Sequence, residues 1–366
     1  MEKKRSLLFW LVTFGTPVLL GILMGIVFYS GNATGAFPIV WMFLPAAGVM
    51  LGQLVTEKDG DRKVPLPKKF MWTFLITTVA EVLCALLTFV IDGDTAALLG
   101  NGIFMTGSIV SLIMLFTEKK DIRKAYGLSM PKLSKGILIA LLFIALYLVI
   151  AFGPAILGCV MSGTPVTAEL FGISFTGIIT AVTLPISLFL AFLPYFGEEY
   201  GWRYYLMPRL MKKFGGRLGV IILGVIWGLW HVPINLFFYS PETALQSIII
   251  QVIACVCFAI FFGWAYMKTD CNIWVVTAIH FINNNLGTCF SGGDGSGNVY
   301  TWGLVALMAA FYICLLALPF IFTKAYSKES IDAFVKKMTA EPVIPAAASE
   351  APAAPVTSSE EATQSV

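Results

Sequence analysis

The chain has 366 residues, of which 58% are hydrophobic and only 12% charged, with a mean hydropathy of +0.84 and a net charge of +3. A soluble domain of this length needs far more polar surface, and so small a positive balance points to no nucleic-acid partner. Apolar runs of about 20 residues recur, each able to cross a hydrocarbon core roughly 30 Å thick, and they are continuous rather than alternating, which excludes a β-barrel. The fold class read from this is all-α: a polytopic helical membrane protein, with membrane lipid as its first partner.

Ten spans are predicted, at 7–29, 36–55, 70–91, 98–116, 135–153, 172–194, 218–238, 244–267, 272–290 and 301–323. Lys3, Lys4 and Arg5 precede the first, which is too long for a signal peptide and lacks a small-residue cleavage site, so it reads as a retained span. The loops then sort by charge. Loop 56–69 carries Lys58, Arg62, Lys63, Lys68 and Lys69; loop 117–134 carries Lys119, Lys120, Arg123, Lys124 and Lys132; segment 195–217 carries Arg203, Arg209, Lys212, Lys213 and Arg217; and Lys268 follows the eighth span. The alternate loops, including GNATGA, DGDTAA and SGGDGSGN, hold no lysine or arginine. Positive loops mark the cytoplasmic side, which predicts a multi-pass protein of the cell membrane with both termini cytoplasmic. The tail from 338 to 366, rich in Ala, Pro, Ser and Glu, reads as a disordered cytoplasmic appendage.

Segment 195–217 is too polar for an ordinary span and too aromatic for an ordinary loop. It reads as a helix at or within the membrane edge that continues the sixth span. Its acids, Glu198 and Glu199, are followed by Arg203. Glu199 and Arg203 are four apart and face each other on a helix as a charge-assisted pair, whereas Glu198 is rotated about 100° away and is free to point elsewhere.

The chain has two histidines, and both fall inside predicted spans: His231 in GVIWGLWHVPINLFF and His280 in IWVVTAIHFINNNLG. Ionisable side chains in a bilayer usually face the bundle interior or a wet cavity. Each histidine has an asparagine four residues on, Asn235 and Asn284. His280 and Asn284 can share one helix face, while Pro233 must kink or end the helix after His231. Taken singly, each of these residues has a structural explanation, as an interhelical hydrogen bond or an interfacial ion pair. Their conjunction points to one site. Glu81, mid-span with no evident partner, reads as a bundle contact, with a proton relay as the alternative. Trp202, Tyr204, Tyr205, Trp227 and Trp230 read as interface anchors and cavity walls. The seven cysteines, odd in number and without C-x-x-C spacing, read as buried small hydrophobes.

Glu198-Glu199-x-x-x-Arg203, Trp227-x-x-x-His231 and His280-x-x-x-Asn284 together resemble the three motifs of the CAAX-protease and bacteriocin-processing (CPBP) family of intramembrane proteases, also called the Abi family. The resemblance covers roughly residues 170–290. It departs at Trp227, where the family often has Phe, and at Tyr204, where glycine often follows the arginine. It implies a division into N-terminal transmembrane helices (1–169), a catalytic transmembrane core (170–325) and the tail (338–366).

The resemblance implies an intramembrane endopeptidase, metallo or glutamic in type, acting on a membrane-protein, peptide or prenylated substrate. Glu198 with His231 is expected to activate water, His280 and Asn284 to bind the oxyanion, and Glu199 and Arg203 to hold the motif helix. Two histidines and a glutamate (Glu198, His231, His280) also match a catalytic zinc shell, although no H-E-x-x-H is present, so a metal stays open with a lean towards none tightly bound. Two other functions fit the same residues: a non-catalytic immunity or scaffold protein, and a proton-coupled transporter using the acids and histidines as a relay.

His280 is expected about 12 Å deep, His231 deeper and Glu198 near the surface. They can meet only if segment 195–211 dips into the membrane and lines a cytoplasm-facing cavity.

Overall fold

The computed structural model describes residues 2–57, 64–291 and 296–340, with the side chains of 168, 169 and 291 excepted. The predicted tail beyond 340, Lys58, Arg62, Lys63 and part of SGGDGSGN lie outside the described residues. All the elements described are helical. Among the described residues, nine helices are long and apolar enough to cross a membrane: α1 (Glu2–Tyr29), α2 (Ala36–Val55), α3 (Lys68–Phe89), α4 (Gly93–Thr117), α5 (Leu133–Ser162), α6 (Phe175–Phe214), α7 (Gly216–Tyr239), α8 (Ala244–Lys268) and α10 (Trp302–Ile321). The chain is a multi-pass membrane protein.

One element differs from expectation and one extends as expected. The predicted span 272–290 is a shorter helix, α9 (Ile273–Asn285), of 13 residues. At 1.5 Å per residue it is about 20 Å long, short of the roughly 30 Å a span needs. Three consecutive asparagines, Asn283 to Asn285, end it in a turn at Leu286 and Gly287. As the reading of segment 195–217 expects, the sixth span continues past Pro194: α6 runs on through the acid pair to Phe214, 40 residues in all.

Proline shapes α6 without breaking it. Pro194 has no N–H to give the preceding turn, and the backbone departs from helical geometry at Ala191 (φ −134°, ψ 20°). Across the kink the Leu193 N–H is taken up by Ser108 Oγ of α4 at 3.2 Å, so a buried donor is not left unmet. From Tyr200 to Leu206 the helix widens to π geometry, with Pro208 following. Such widened turns favour functional sites because they re-aim side chains within a continuous helix.

The middle of α6 lies against α2, α4 and α9, and its end lies against α7 and α11 (Lys328–Thr339). Close approach to α2 is built on small residues. A Cβ at Gly197 would meet the backbone of Met42 and Phe43, and one at Gly201 that of Pro45. Gly201→Ala is therefore expected to push α6 off α2 and cost about 1–3 kcal/mol, as overpacking does. The check is a thermal melt beside a turnover assay: both should fall together, and an unchanged melt refutes the close contact.

Candidate active site

The acid pair occupies two different environments. The Glu199–Arg203 pair forms as the spacing predicts: Arg203 Nη1 donates to Glu199 Oε1 at 2.9 Å, and both residues are 0% exposed. The same oxygen lies 2.8 Å from His280 Nδ1 on α9. The Arg203 guanidinium lies against the rings of Trp227 (4.3 Å) and Phe262 (4.9 Å), a cation–π contact on each. Glu198 makes no ion pair among the described residues. Its Oε2 accepts from the indole N–H groups of Trp202 at 3.0 Å and Trp227 at 2.5 Å. These tryptophans, read as anchors and walls, are buried donors to a carboxylate.

His231 stands where α7 breaks. The regular turn ends at Trp230, and Pro233 lies in the short piece that follows. His231 Nδ1 is 2.8 Å from the Trp227 carbonyl. A carbonyl only accepts, so the hydrogen sits on Nδ1 and the neutral ring keeps a lone pair on Nε2. Asn235 does not share a site with His231 but mends the break: its Nδ2 donates to the His231 carbonyl at 2.9 Å, and its Oδ1 accepts from Ser247 at 2.5 Å. Trp230 ties the region to α1 by donating to the Thr13 carbonyl at 2.7 Å.

α9 carries His280 into the cluster. The turn before it is tight, with Asp270 and Cys271 both left-handed (φ 58° and 66°). Asn272 caps the helix at the Trp274 N–H (3.1 Å) and anchors it by donating to the Pro131 carbonyl (2.7 Å). The Trp227 ring centroid is then 5.6 Å from that of His280 and 6.2 Å from that of His231. One indole thus borders Glu198, Arg203 and both histidines. All three motifs meet at it, and they do so in the chain order that marked the resemblance.

Residues 179–286 match the family model of the Rce1-like type II CAAX prenyl endopeptidases. The match bears out the resemblance read from the motifs and takes in all of them. It spans less than a third of the chain and leaves α1 to α5 outside. No curated protein and no solved structure matches the chain.

Within the matched segment, Asn284 is not drawn into the buried cluster. It is exposed, and its Oδ1 accepts from Asn283 at 2.9 Å. Its neighbour Asn285 turns inward and donates to Tyr195 Oη at 2.7 Å. The Tyr195 ring lies edge-on to His280 at 5.5 Å. Sequence reading passed over Tyr195 and Asn285. The available signal was Tyr195 standing one turn before Glu199, and a run of three asparagines in which a spacing rule selects one.

The zinc candidates do not assemble as a ligand set. Among the described residues no three His, Cys, Asp or Glu side chains gather closely enough to hold a metal ion. Arranged in this way, the donors do not fit a zinc shell.

Glu198, His231 and His280 are 1%, 8% and 4% exposed. A cavity of about 400 Å³ at the end of α6 reaches Tyr204, Tyr205 and Arg209, and neither the acid pair nor the histidines line it. Tyr204, the departure from the family pattern, stacks on Tyr200 (4.3 Å, 11°) and forms part of that wall. Glu81 is buried between α3 and α4, where Gly100 leaves room for its carboxyl, away from the motif residues.

Proposed function

We propose that the chain is an intramembrane endopeptidase of the CAAX-prenyl-protease-like type, hydrolysing a peptide bond in a membrane-associated, peptide or prenylated substrate with water activated by Glu198. The observation that carries this is the unequal acid pair. Glu199 is committed to Arg203 and His280, while Glu198 is held at Oε2 by neutral donors, with Oε1 in no hydrogen bond among the described residues. One carboxylate builds the site and the other is left to react.

In this reading a water lies between Glu198 Oε1 and His231 Nε2. Glu198 takes its proton as the hydroxide oxygen bonds to the scissile carbonyl carbon. The resulting oxyanion accepts from His280 at Nε2. Glu198 then returns the proton to the leaving nitrogen as the C–N bond breaks, so the residue ends as it began. The Glu199 contact at Nδ1 fixes the His280 ring so that Nε2 faces the reacting centre. The basic loops support a topology with both termini in the cytoplasm and the substrate's peptide on that side.

The test is a panel of prenylated C-terminal peptides and transmembrane segments given to purified protein beside Glu198→Ala. Cleavage that disappears in the variant supports the reading, and equal cleavage by both defeats it. Cleavage by neither shifts the weight to the scaffold function. Because the donors do not fit a zinc shell, exhaustive dialysis against a chelator is expected to leave turnover unchanged. Loss of turnover restored by added zinc counts against the metal-free mechanism.

A further inference from the structure

Two indoles meet one oxygen of Glu198, and they come from different helices. Trp202 stands one turn further along α6, and Trp227 reaches across from α7. Both are buried, at 0% and 3% exposed. An indole has a single N–H and no lone pair to accept with, so neither ring can trade roles with the carboxylate or take a proton from it. If Oε2 swung away, two buried donors would be left unmet, which is costly in an apolar interior.

Each indole is itself held. Trp202 lies edge-on to Trp230 (5.3 Å, 86°). Trp227 carries the Arg203 guanidinium over its ring and stands edge-on to His280 (5.6 Å, 75°). The donors therefore cannot follow the carboxyl if it turns.

We infer that Trp202 and Trp227 are positioning residues that pin Glu198 through Oε2 and so present Oε1 to the reacting water. The kinetic consequence rests on the proteolytic reading above; the hydrogen-bond geometry does not. The arrangement is particular to the tryptophan at 227. A phenylalanine there keeps a ring beneath Arg203 and beside His280 and lacks only the N–H. Substitution at this position separates the hydrogen bond from the packing.

The experiment pairs kinetics with indole NMR in detergent micelles. Trp227→Phe is expected to lower kcat about tenfold or more with KM little changed, the loss of a charge-assisted hydrogen bond felt at the reacting carboxylate. Trp202→Phe is expected to act in the same direction. On ¹⁵N-labelled protein, two of the nine indole N–H signals should lie downfield, Trp227→Phe should remove one of them, and Glu198→Gln in the parent protein should move both.

Trp227→Phe with wild-type kcat overturns the positioning role. Indole signals indifferent to Glu198→Gln overturn the geometry itself. A melt lowered by Trp227→Phe with kcat per folded molecule unchanged shows a packing role only, and also overturns the inference. Wild-type protein that shows the shifted indoles yet cleaves nothing in the panel sinks the proteolytic reading and leaves the two-indole hold on Glu198 standing.

Discussion

Glu198→Gln is expected to cut peptide hydrolysis by about 100- to 10,000-fold, the usual share of a general base, with the thermal transition close to that of the parent protein. The contrast follows from how the carboxyl is held. Two N–H groups point at Oε2, so the amide oxygen of a glutamine takes that place and accepts from both. The amide nitrogen must then occupy the position of Oε1, where it has no basic lone pair for water. Size, burial and both hydrogen bonds survive, and only the proton acceptor is lost. A Glu198→Gln protein with normal turnover removes Glu198 from the chemistry, whatever the fold.

Arg203→Ala is expected to act on stability first. Arg203 and Glu199 are both 0% exposed, and their pairing at 2.9 Å is the principal compensation for Glu199 in the bundle interior. Breaking a buried pair from one side typically costs about 3–5 kcal/mol, because the remaining charge stays buried. The contacts with Trp227 and Phe262 are lost as well. The expected outcome is a large fall in melting temperature together with loss of activity.

Removing both charges should behave differently. A Glu199→Gln/Arg203→Met double variant leaves no stranded ion, so it is expected to regain much of the stability without regaining turnover, since His280 has lost its carboxylate. A thermal melt of the three proteins in one detergent decides this. If Arg203→Ala melts like the parent, the pair contributes no stability to the fold and Glu199 is balanced some other way.

The sequence left the depth of the acid pair as a puzzle for a physical reason. A hydropathy reading ends the sixth span at the first run of charge, which put Glu198 near the surface and made its meeting with His231 and His280 a puzzle of depth. In the structure α6 continues 15 residues past Glu199 to Phe214, about 22 Å further along the helix axis. The charge that appeared to end the span is neutralised inside it, by Arg203 on the same helix and by His280 and two indoles on others. The opposite error befell α9: its residues are apolar enough on average, yet three asparagines end the helix early.

Local spacing was enough to determine membrane class, the course of most spans, the Glu199–Arg203 pair and the break after His231. Each depends only on run length, the 3.6-residue period or the chemistry of proline, properties a chain carries wherever it packs. The tertiary structure alone decided that Glu198 is held by Trp227, 29 residues away, that His280 pairs with Glu199, 81 residues away, and that Asn285 rather than Asn284 turns to Tyr195. Those contacts depend on how closely α6, α7 and α9 approach and how each is rotated. That is set by glycines against backbone, by a kink at Ala191 and by a turn at Asp270 and Cys271, and no periodicity along the chain records it.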